Sequence, residues 1–227
     1  MPATSSETSS EPSSRHSSLA LVLWLALAGI FAALAFVSGR PERNLLYDYD
    51  FALAASINWV VLVGLTVGVA FAFERPARAL GLNSFAPRWI GLALGVVFGS
   101  LVVSAVLEPF LHGGREQGLE PTSWQPEHAG AFAANTALIV VFGPFAEELF
   151  YRGLGVRVLE TFGPALAIAG SAIAFGLAHG VLAALPPLVL FGAGLAWVRL
   201  RSGSIWPGYV AHVAYNGLAI AVTIAFL

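Results

Sequence analysis

Two adjacent carboxylates, Glu147 and Glu148, interrupt an otherwise apolar run, and Arg152 follows one helical turn later. Two more polar signals stand on later apolar segments: His179, closing Phe175-Gly-Leu-Ala-His179, and the pair in His212-Val-Ala-Tyr-Asn216. On a helix, Glu148 and Arg152 share a face at i and i+4, as do His212 and Asn216. Glu147 is rotated about 100° from Glu148 and is free to meet a different neighbour. Such a set supplies what hydrolysis of a carbonyl compound needs, a base to take a proton from water and donors where the oxyanion develops. Each signal also has a plainer reading. Glu148 with Arg152 fits an interfacial salt bridge, His179 a satisfied core residue, and His212 with Asn216 a helix-to-helix hydrogen bond. The salt bridge leaves Glu147 unexplained. Ionisable groups at bilayer depth cost on the order of several kcal/mol and are functional candidates by default.

The elements that must hold these groups are membrane helices. The 227 residues are 57% hydrophobic and 11% charged, against roughly 25% charged in soluble domains. The fold class expected is all-α, a polytopic transmembrane bundle of about seven spans: 18–37, 51–73, 89–110, 131–153, 164–179, 181–200 and 205–227. The fifth and sixth run together at His179-Gly180-Val181, and Pro186-Pro187 should break or kink the sixth. Residues 1–17 are Ser-rich, polar and aperiodic, and are expected to form a disordered tail rather than a signal peptide. Residues 18–130 are then N-terminal membrane helices, and 131–224 the segment that holds the chemistry.

Arginine placement gives an orientation. Arg15, Arg75, Arg78, Arg88, Arg157, Arg199 and Arg201 fall to one side, against Arg40, Arg43 and Arg115 with the acidic Glu116, Glu120 and Glu127 on the other. The N-terminus is expected in the cytoplasm, and the protein in the plasma membrane of a prokaryote. A net charge of -2 argues against nucleic acid as a partner. With no cysteine, thiol proteases, iron–sulfur clusters and disulfides are excluded. All eleven basic residues are arginine, which removes Schiff-base chemistry and Ser/Lys dyads.

A turn at Gly163-Pro164 would leave Glu147 and His179 about equally far from it along the chain. In an antiparallel pair both would then lie roughly 24 Å from the turn, where carboxylate and imidazole can face each other.

Glu-Glu-x-x-x-Arg, Phe-x-x-x-His and His-x-x-x-Asn, in this order on successive hydrophobic helices, resemble the three motifs of the CPBP family. That family groups type II CAAX prenyl endopeptidases with bacteriocin-processing and immunity (Abi) proteins. The resemblance covers about 131–224 and implies a glutamate-dependent intramembrane protease. It implies that Glu147 and His179 activate water, that His212 and Asn216 stabilise the oxyanion, and that Glu148 and Arg152 orient the site. No cofactor is required by these residues, although Glu147, His179 and His212 could also serve as three ligands of a catalytic zinc. The implied partners are the lipid bilayer and a membrane-associated protein or peptide substrate. His-Glu-x-x-His, a rhomboid-like Gly-x-Ser-Gly and an intramembrane aspartate pair are all missing from the sequence. The alternative reading is a non-hydrolytic immunity or partner-binding protein, or a proton-coupled transporter using a carboxylate–histidine relay.

Overall fold

The computed structural model describes residues 11–38, 44–112 and 123–225. Residues 1–10 of the polar tail lie outside the described residues, as do Arg40, Arg43, Arg115, Glu116 and Glu120 of the orientation argument. All regular structure among the described residues is helical. The long elements are α1 (Glu11–Val37), α2 (Tyr49–Ala70), α3 (Arg88–Leu111) and the continuous rod α4 (Pro126–Phe162), followed by α5 (Pro164–Leu177), α6 (Leu185–Ser202) and α7 (Trp206–Ala225). Five stretches are long and apolar enough to cross a membrane: Ser17–Val37 of α1, α2, α3, α4 and Leu182–Ser202, which includes α6. The protein is therefore an integral, multi-pass membrane protein. Five such stretches fall among the described residues, and the expected count of about seven is not confirmed. At 14 residues, α5 is about 21 Å long, short of a hydrocarbon core of about 30 Å.

Local chemistry explains the boundaries. Asp48 caps α2 by accepting from the Asp50 N–H at 2.8 Å, and α3 ends at His112 in the left-handed conformation (φ 53°). Gly163, at φ 99°, makes the turn between α4 and α5, and Pro164 opens α5. Pro186 and Pro187 do not kink a helix. They sit in the first turn of α6, where a missing N–H costs nothing, and α6 accordingly starts at Leu185 after a 3-10 turn, Leu182–Ala184.

The unexpected feature is in α4. Two stretches, Leu138–Phe142 and Glu148–Gly155, are π-helical. Such widened turns recur at functional sites. The first immediately precedes Gly143-Pro144, where a proline lacking an N–H could not continue a tight α-ladder. The second carries Glu148 and Arg152.

The core lies between α1, α4, α5, α6 and α7, with Trp24, Phe150, Phe175, Phe191, Leu195 and Ile205 almost wholly buried. Phe98, Val106 and Phe110 of α3 and Leu53 and Val60 of α2 are exposed, as befits lipid-facing surfaces. At one end, the segment after α2 is stitched to the α6–α7 turn. Asn83 Nδ2 donates to the Gly203 carbonyl at 2.8 Å, Ser204 Oγ donates to the Asn83 carbonyl at 2.8 Å, and the Ile205 N–H reaches the Gly81 carbonyl at 3.0 Å. Towards the other end, the buried Asn135 of α4 donates to the carbonyls of Leu45, Leu46 and Asp48, fixing the segment that enters α2.

Candidate intramembrane active site

Glu148 is fully buried, and its Oε1 is shared by two cationic or donor groups: Arg152 Nη1 at 3.1 Å and His212 Nδ1 at 3.1 Å. Arg152 is fully buried as well. Its contact with Glu148 is an ion pair by distance without hydrogen-bond alignment, since Nε, Nη1 and Nη2 make no hydrogen bond among the described residues. The guanidinium instead lies over the face of Phe175, 4.1 Å from the ring centroid. A desolvated cation over an aromatic face gains about 2 kcal/mol.

Phe175 is the hub of the cluster. Tyr151, His179 and His212 all meet it edge to face, at 5.6, 4.8 and 5.6 Å between centroids. Phe191 of α6 packs on the other flank of His212 at 5.2 Å and stacks on Tyr215 at 4.5 Å. Tyr215 in turn shares a hydrogen bond with Ser104 of α3 at 3.2 Å.

His212 stands between the two glutamates. Its Nε2 is 3.6 Å from Glu147 Oε2, while Nδ1 faces Glu148. The Nδ1 contact is a hydrogen bond, whereas 3.6 Å from Nε2 to Glu147 is beyond hydrogen-bond reach, so Nε2 makes no hydrogen bond among the described residues. Gly208, one turn earlier in α7, makes the approach possible, because a Cβ there would lie 2.8 Å from Glu148 Oε2.

The Nδ1 of His179 is 2.9 Å from the Phe175 carbonyl. A carbonyl can only accept, so Nδ1 carries the proton and Nε2 presents a lone pair. No hydrogen bond or ion pair joins His179 to Glu147 among the described residues, and the histidine that reaches Glu147 is His212. That contact comes from α7, whose close approach to the carboxylate pair the small residue at 208 admits. Asn216 donates from Nδ2 to the Ile139 carbonyl at 2.9 Å, within the first π-helical stretch, and keeps a second N–H on the same nitrogen.

The two glutamates differ in access. The Glu148 side chain is 0% exposed and that of Glu147 19%, so Glu147 is the one that reaches open space. No three His, Cys, Asp or Glu side chains among the described residues are grouped to hold a metal ion. Zinc held by Glu147, His179 and His212 does not fit this arrangement. Trp24, Gly208, Phe191 and Tyr215 carried no signal in the sequence beyond their apolar or small character. Trp24 in particular donates its indole N–H to the Phe150 carbonyl at 3.1 Å, tying α1 to the π-helical turn.

A multi-pass helical membrane protein that encloses carboxylates, two histidines and an arginine in its core defines the class. Residues 129–218, which contain these five residues and Asn216, match the family described as type II CAAX prenyl endopeptidase Rce1-like, a match that supports a CPBP-family intramembrane protease. No curated protein and no solved structure matches the chain.

Proposed function

We propose that the protein is an intramembrane endopeptidase of the CAAX-processing kind, in which Glu147 and His179 activate water and His212 with Asn216 receive the oxyanion. The observation that carries this reading is the asymmetry of the carboxylate pair. Glu148 is sealed between Arg152 and His212, whereas Glu147 is partly exposed and lies 3.6 Å from His212, outside hydrogen-bond reach. A base must meet water, and a scaffold need not. His179, with its lone pair on Nε2, supports the same role.

Water gives a proton to the Glu147/His179 side of the site and its oxygen attacks the peptide carbonyl. The oxyanion accepts hydrogen bonds from His212 and from the second N–H of Asn216, donors that are strengthened by a low-dielectric setting. Collapse breaks the C–N bond, and the proton held by the base passes to the leaving amine. Glu148 and Arg152 position His212 without touching substrate. The arginines gathered at one end of the bundle support a cytoplasmic N-terminus.

The test is cleavage of a fluorogenic prenylated CAAX-type peptide by the purified full-length protein in proteoliposomes. Glu147→Ala and His179→Ala should each abolish it with membrane insertion unchanged. Wild-type turnover by Glu147→Ala would refute the assignment. Comparing membrane proteomes of cells carrying wild-type or Glu147→Ala protein would then identify the natural substrate.

A further inference from the structure

The end of the bundle where α3 begins and α6 finishes carries a polar feature that the Glu148 cluster does not use. Arg88 opens α3, and its Cζ lies 5.6 Å from the ring centroid of Trp89. Arg201, in the last turn of α6, lies 5.9 Å from the ring of Trp197. The two indoles meet edge to face at 6.2 Å. Arg88, Trp89, Trp197 and Arg201 thus form a row across the seam between the helices. Both arginines are exposed, Trp197 is 37% exposed, and neither arginine has an ion-pair partner among the described residues. The platform is anchored from below, because Arg199 reaches the Ala79 carbonyl at 3.5 Å and Asn83 reaches that of Gly203. Leu92 and Leu190 continue the seam as exposed apolar side chains, and Leu190 shares a helical stripe with Trp197.

We propose that this seam binds the phosphate headgroup of an anionic phospholipid, with the two guanidiniums on the phosphate oxygens, the indoles at headgroup depth and an acyl chain along Leu92 and Leu190. Charge complementarity argues for an anion. Arg75, Arg78, Arg88, Arg157, Arg199 and Arg201 gather at this end against Glu74 and Glu160, and guanidiniums match phosphate as paired donors. The indoles argue for a lipid rather than a soluble anion, since tryptophan settles at the membrane interface. The consequence reaches the site. A headgroup bridging α3 and α6 clamps the helices that supply Ser104 and Phe191, the residues that hold Tyr215 and His212.

The experiment is native mass spectrometry of the full-length protein in detergent, titrated with phosphatidylglycerol or phosphatidylcholine. The wild type should retain phosphatidylglycerol preferentially. Arg88→Gln or Arg201→Gln alone should weaken it about fivefold, and the double variant about twenty-five-fold. Arg75→Gln/Arg78→Gln, which removes the same charge from the same end away from the indoles, should leave most of the affinity. The single variants keep the test decisive if the double variant does not fold. Equal retention of both lipids by the wild type would overturn the proposal. So would equal losses in the two double variants, or complete displacement of phosphatidylglycerol by a soluble polyglutamate peptide, which would assign the row to an acidic protein partner.

Discussion

Gly208→Ala is the sharpest probe of how the cluster is built. A Cβ at that position would stand 2.8 Å from Glu148 Oε2, and ordinary contact begins at 3.4 Å, so the carboxylate must move by about 0.6 Å. It has little room to do so, being buried and held on Oε1 by both Arg152 and His212. Overpacking of this kind costs about 1–3 kcal/mol, offset by the 0.5–1 kcal/mol or so that alanine gains over glycine within a helix. The net loss of stability should be about 0.5–2 kcal/mol. Misplacing a catalytic group by about 1 Å can lower the rate about a hundredfold, and a displacement of about 0.6 Å scales to a loss of about tenfold in kcat/KM. Gly217→Ala on the same helix is the control, because its Cβ would meet only Val140 Cγ1, at 3.6 Å. Thermal unfolding in detergent and cleavage of the reporter peptide should separate the two variants. If Gly208→Ala matches the wild type in both, the close packing of α7 on Glu148 does not matter and the reasoning fails.

Three further outcomes follow from the same geometry. Arg152→Met should destabilise the protein by about 3–5 kcal/mol, because it leaves the buried Glu148 uncompensated, while Arg157→Gln, at an exposed pair with Glu160, should shift the unfolding midpoint little; equal effects would contradict the burial argument. Trp24→Phe keeps a ring but loses the donor to the Phe150 carbonyl and should cost about 0.5–1.5 kcal/mol, with faster hydrogen exchange in 148–155; unchanged exchange would mean that α1 does not hold the π-helical turn. Dialysis against a chelator should leave cleavage unaltered, and a loss restored by zinc alone would show that three ligands assemble in a state different from this one.

The sequence foretold the parts of the fold that rest on short-range chemistry. Apolar length marked the helices, and Gly163-Pro164 marked a turn because a positive φ and a missing N–H are properties of those residues themselves. The i, i+4 spacing of Glu148 and Arg152 was likewise readable, and the structure holds them at 3.1 Å. The π-helical stretches were not readable, since a widened ladder leaves no mark on hydrophobic periodicity. Pro186-Pro187 misled because a proline pair interrupts a helix or begins one according to where the preceding turn ends. The partner of Glu147 depended on how closely α7 approaches α4, and that distance is set by the absence of a side chain at position 208, which means nothing until the helices are packed. Trp24 lies outside the family segment altogether, and only tertiary packing brings it to Phe150.

The central claim is that the carboxylate pair is divided, Glu147 for chemistry and Glu148 for structure. Thermal unfolding and reporter cleavage measured together on Glu147→Gln and Glu148→Gln test it most directly. The account predicts that Glu147→Gln unfolds like the wild type and cleaves nothing, whereas Glu148→Gln is destabilised through loss of its contacts with Arg152 and His212. Cleavage by Glu147→Gln at the wild-type rate, or equal destabilisation by the two substitutions, would contradict it.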